Sequence, residues 1–81
     1  MMTLFPGYYW IGTDPERVGG KPHIRGTRIT VAFVLELVAS GGSLLQIQAA
    51  YPQLAPEALQ EALRFATEAV GHSQPLAPAL E

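Results

Sequence analysis

The sequence predicts a mainly α-helical domain with a small N-terminal β-hairpin, and three observations predict it. From Thr30 to Val70 apolar residues recur at helical spacing, the pattern of helices that face a core. That run is interrupted at Gly41-Gly42 and at Tyr51-Pro52, where glycine and the residue before proline end helices. Ahead of it stand only short extended segments, bounded by Asp14-Pro15 and Gly19-Gly20. The order is therefore two short strands, then a long, a short and a long helix. The close succession of helices suggests a helix-turn-helix unit.

Each element has a local reason. Residues 1–10 form a lead-in carrying Leu4, Phe5, Tyr8, Tyr9 and Trp10, aromatics suited to covering a sheet face or a subunit contact. Trp10–Thr13 reads as a strand ended by Asp14-Pro15. A second strand runs through Ile24 and resumes at Ile29–Val31. Ile24 and Ile29 are an odd number of residues apart, so strict alternation puts them on opposite faces. One extra residue at Gly26-Thr27 restores both to the core, as a bulge does. The first helix spans Thr30 to Ser40 with Val31, Val34, Leu35 and Val38 in a stripe that Phe33 and Leu37 widen. So apolar a helix is expected to be buried on most of its circumference. Ser43 and Gln46 form a capping-box pair opening the short helix. Pro56 suits the first position of the third, which continues to about Val70 with Glu57, Gln60, Glu61, Arg64 and Glu68 opposite its apolar face. Residues 11–71 are thus one domain, and residues 72–81, lacking periodicity, are read as a flexible tail.

Composition limits the function. An 81-residue chain builds only a thin core, and the first helix and lead-in offer more apolar surface than it covers, so a homodimer through Trp10, Phe33 and Leu37 is expected. The chain has no cysteine, hence no disulfide and no thiolate metal site. No signal peptide is expected from the opening residues and no run reaches the roughly 20 apolar residues of a membrane helix, so the expected location is the cytoplasm.

One stretch asks for a partner. Arg17, Lys21, Arg25 and Arg28 are four of the five basic residues in a chain of net charge −2, and no acid falls between Arg17 and Glu36. Such concentrated charge suits an anionic macromolecule, although these arginines also have Asp14, Glu16 and Glu36 within reach as internal partners. Gly19, Gly20 and Gly26 are expected to serve backbone conformation. The spacing matches neither a dinucleotide fingerprint nor a phosphate loop. His23 and His72 stand alone, without ligands at metal spacing. No acid–base set or nucleophile motif appears, so neither enzymatic activity nor a cofactor, metal or small-molecule substrate is expected. A recognition-helix role for the third helix is disfavoured, because Glu57, Glu61 and Glu68 outweigh Arg64 where phosphates would lie. Arg64 is instead expected to pair with Glu61 or Glu68 along the helix.

Thr13-Asp14-Pro15, Gly19-Gly20-Lys21-Pro22, Ile24-Arg25-Gly26-Thr27-Arg28-Ile29, Val34-Leu35, Tyr51-Pro52 and Leu63 closely resemble the family catalogued as domain of unknown function 433 over about residues 11–70. The resemblance implies a small homeodomain-like or winged helix-turn-helix fold. It also implies an antitoxin-like role in a toxin–antitoxin pair, with a PIN-like ribonuclease toxin as the usual partner; autorepression through operator DNA is a further expectation for this chain. The chain departs from the family pattern at Leu45-Gln46-Ile47-Gln48, where acids are usual, and at Ala55, which cannot cap with its side chain. On this reading Lys21, Arg25, Arg28 and Arg17 make the contacts. A stand-alone DNA-binding regulator and a purely structural dimerisation domain are the alternatives.

Overall fold

Three helices pack beside a three-stranded antiparallel sheet at the N-terminal end of the chain. The computed structural model describes residues 1–71, and the tail read as flexible lies outside them. Strand β1 (Thr3–Leu4) pairs with β2 (Ile11–Thr13), which pairs with β3 (His23–Ile24). The lead-in therefore supplies a third strand beyond the expected hairpin. Gly12 lets β1 approach closely, since a Cβ there would sit 2.5 Å from the Thr3 carbonyl oxygen.

Ile24 and Ile29 are not joined by a bulged strand. The chain reverses instead: Thr27 N–H donates to the Ile24 carbonyl and Ile24 N–H to that of Ile29, while His23 bridges Thr30. Residues directly opposite on antiparallel segments share a face, so a reversal resolves the odd spacing without an extra residue. Gly26, third in the turn, has φ +79° and Arg25 does not have positive φ, the pattern of a type II turn. The Thr27 hydroxyl reinforces it, donating to the Ile24 carbonyl at 2.8 Å and accepting from Ile29 N–H at 3.0 Å.

The helices follow their caps. In α1 (Val31–Ala39) Thr30 Oγ1 accepts from Phe33 N–H. In α2 (Leu44–Ala50) Ser43 and Gln46 form a reciprocal capping box. After residues 51–55, α3 (Pro56–Gly71) begins at its proline, completing the α2–turn–α3 succession. Ile11, Ile24, Val34, Ile47, Leu54 and Leu59 form the core with Ala58 and Ala62, each large side chain contributing roughly 1.5–3 kcal/mol by leaving water. The small alanines let α3 lie close to the sheet and α1.

Burial of α1 is less complete than its composition suggests. Only Val31 and Val34 are buried, while Phe33, Leu35 and Val38 remain 37–39% exposed. A nine-residue helix touched by α3 on one side leaves the rest of an apolar circumference uncovered. No described helix is long and apolar enough to cross a membrane.

Candidate functional site

The turn from Arg25 to Arg28 is the exposed end of the β3 reversal, and it fixes where the cations sit. Arg25 N–H donates to the Trp10 carbonyl at 2.7 Å, continuing the β2–β3 register by one step. That step brings the Arg25 guanidinium 4.0 Å from the centroid of the Tyr9 ring and 5.8 Å from that of Trp10, within range for cation–π attraction. Tyr9 and Trp10 meet edge to face at 5.1 Å. Arg28 is exposed. Arg17 reaches the Thr27 carbonyl at 3.4 Å, tying the outer loop to the turn.

None of these cations makes an ion pair with a carboxylate among the described residues. Among the described residues the sole ion pair is Met1 ammonium to Asp14, at 3.2 Å. The internal partners open to the arginines on sequence grounds, Asp14, Glu16 and Glu36, form no ion pair with them, although Arg17 acts on Asp14 through space and helps to lower its pKa. Arg17 and Arg25 instead line one cleft of about 230 Å³ with Met2, Asp14, His23 and Gly26. Lys21 stands apart, at the rim of an apolar groove between α1 and the end of α3 that Leu35, Phe65 and Ala66 help line. The four cations thus divide between two neighbourhoods. Val18, Gly19 and Gly20 all take positive φ (42°, 66° and 77°), the reversal that carries the chain from Arg17 to Lys21.

Two residues at this site carry more than their sequence setting suggested. Tyr9 underlies Arg25, which only the β2–β3 register reveals. His23 is completely buried. Its Nδ1 lies 2.9 Å from the Lys21 carbonyl, and its Nε2 is buried without a hydrogen-bond partner among the described residues. Asp14 is also buried, and its Oδ1 accepts from Glu16 N–H at 2.9 Å. That hydrogen bond, aided by the Met1 ammonium, holds its carboxyl below the usual value against the opposing effect of burial.

The polar face of α3 does different work from that expected. Arg64 makes no ion pair with Glu61 or Glu68; its guanidinium lies 4.9 Å from the Tyr8 ring centroid and reaches the Gly7 carbonyl at 3.4 Å. Glu61 accepts from Tyr9 N–H at 3.1 Å and Trp10 N–H at 2.8 Å. Glu68 accepts from the Tyr8 hydroxyl, whose ionisation is pushed up first by burial and then by that bond. Phe5 and Tyr8 pack on Phe65, with centroids 4.7 and 5.5 Å away. The acids that weaken α3 as a DNA-reading helix thereby clamp the lead-in.

Trp10 is half-buried beside Arg25, Phe33 stands edge-on to Tyr51 at 5.8 Å, and Leu37 is half-buried against the core. Among the described residues no three histidine or acidic side chains gather as metal ligands do. No curated protein and no solved structure matches the chain. The model of a family described as a protein of unknown function, DUF433, matches residues 11–66. That span holds the basic turn, the loop before it and most of the helical core, and the chain belongs to the DUF433 family.

Proposed function

We propose that this chain is a non-catalytic binding protein of antitoxin type that neutralises a PIN-like ribonuclease through its basic turn. The observation carrying the reading is that Arg17, Lys21, Arg25 and Arg28 have no carboxylate partner among the described residues, while Arg25 is held in place on Tyr9. A guanidinium so placed meets a carboxylate bidentately. PIN-like nucleases hold divalent metal in a carboxylate cluster, and an arginine entering it competes with that metal. Inhibition is then electrostatic, needing no chemistry from the antitoxin. The test is to co-express the chain with a PIN-like ribonuclease encoded beside it and measure complex and nuclease activity. A stable complex with suppressed activity supports the reading; free, fully active nuclease refutes it.

DNA binding is the second reading, either as autorepression or as the sole function. Glu61 and Glu68 on α3 disfavour that helix as the contact, so the DNA would meet the same turn. Its signature is affinity that falls steeply with salt. The exposed Phe33, Leu35 and Val38 of α1 favour a homodimer, with Phe33, Leu37 and Trp10 as its contacts, in a cytoplasmic protein.

A further inference from the structure

We propose that the cleft of Asp14, Arg17, His23 and Arg25 binds a protonated phosphate, either inorganic phosphate or a phosphomonoester. This goes beyond the antitoxin reading, which requires only the outward charge of the turn. The cleft of about 230 Å³ combines two donors with two acceptors. The guanidiniums of Arg17 and Arg25 only donate, and neither has a carboxylate partner among the described residues. The Asp14 carboxylate only accepts, and the Met1 ammonium and Glu16 N–H both engage one oxygen, Oδ1, leaving Oδ2.

His23 supplies the second acceptor. A carbonyl oxygen cannot donate, so the contact with Lys21 requires the hydrogen on Nδ1; in the neutral ring Nε2 then carries a lone pair. Nε2 is buried, and no group among the described residues satisfies it, a state that native proteins seldom leave uncompensated. His23 is among the residues that line the cleft, so a ligand there is the available source of a donor.

This pattern selects among anions. Sulfate, a carboxylate or a phosphodiester offers acceptors alone; each would satisfy the guanidiniums but set lone pairs against Asp14 and Nε2. Hydrogen phosphate offers both kinds of group. Its anionic oxygens accept from Arg17 and Arg25, and its hydroxyl donates to His23 Nε2 or Asp14 Oδ2.

The test is titration of the full chain with potassium phosphate in a phosphate-free buffer near pH 7, following the His23 ring nitrogens by NMR. Sodium sulfate at equal ionic strength is the contrast. Phosphate is expected to shift Nε2 saturably while sulfate leaves it unmoved. Arg17→Ala and Arg25→Ala should each weaken phosphate binding about tenfold or more, and His23→Phe should abolish the preference for phosphate over sulfate. If His23→Phe does not fold, the phosphate–sulfate contrast on the unaltered protein decides alone. Adenosine 5′-monophosphate distinguishes the sources: equal or tighter binding assigns a phosphomonoester, and weaker binding assigns the free ion. Equal responses to phosphate and sulfate, or no saturable response to phosphate, overturn the proposal.

Discussion

Arg25 rests on Tyr9, its guanidinium 4.0 Å from the ring centroid, although the two are far apart in the chain. The contact follows from register: Ile11 pairs with Ile24, so the next residues outward, Trp10 and Arg25, must meet. Tyr9 is 58% exposed, so the attraction belongs to the weaker range of such contacts, about 0.5–1 kcal/mol. Under the proposed function its use is to hold one guanidinium in place before a partner arrives, reducing the ordering cost of binding. Tyr9→Ala should therefore weaken partner binding by about two- to fivefold, whereas Tyr9→Phe keeps the ring and the affinity. Calorimetric titration of both variants against the ribonuclease measures this.

Glu61 is the clamp of the lead-in. Its carboxylate accepts from two successive backbone amides, at Tyr9 and Trp10, and its removal leaves both without a partner. Glu61→Ala should cost about 2 kcal/mol, lowering the melting temperature by on the order of 10 °C. Glu61→Gln keeps one acceptor oxygen and should fall between. Urea unfolding gives the free energies, and near-ultraviolet circular dichroism of Trp10 reports whether the lead-in detaches.

Gly26 and Gly12 should fail for different reasons. A Cβ on Gly26 meets nothing within 4 Å, so its cost is the left-handed backbone alone, about 1–2 kcal/mol for alanine. Gly26→Asn should cost less, because asparagine tolerates that region. At Gly12 the backbone is unstrained but the space is filled by the Thr3 carbonyl. Gly12→Ala should expel β1, and Asn at that position should be worse rather than better. Hydrogen exchange at the β1–β2 amides separates the two mechanisms.

Asp14 sets an acid limit. The Glu16 N–H and the Met1 ammonium lower its folded value beneath the ordinary 3.8, so the folded state binds a proton less readily than the unfolded one. Its stabilisation is complete above the unfolded value and disappears as pH falls through the folded value. Asp14→Asn should flatten the dependence of stability on pH below about 4, leaving the slopes due to other carboxyls. Urea midpoints from pH 7 down to pH 2 check this.

The helices were legible in the sequence because their signals are local. The Ser43–Gln46 pair and Pro56 are each read within a few residues, and each occupies the expected position. Parity misses the β3 reversal because it assumes one continuous strand, and a turn satisfies the same facing rule by pairing Ile24 with Ile29. Strand β1 is two residues long, too short for alternation to show. The polar side of α3 was read as intrahelical pairing because the partners of Glu61, the amides of Tyr9 and Trp10, lie 52 and 51 residues away. At the candidate site the basic residues were visible as a cluster, but their division between the His23 cleft and the α1–α3 groove depends on the fold. The isolation of His23 in sequence gave no sign of its burial.

The outward-facing charge of the turn is tested most directly by the affinity of Arg25→Glu/Arg28→Glu for the ribonuclease, with Glu57→Gln on α3 as a control for nonspecific charge change. Reversal at the turn should abolish the complex while the control binds as before. Undiminished binding by a folded double variant would contradict the proposed role of the turn.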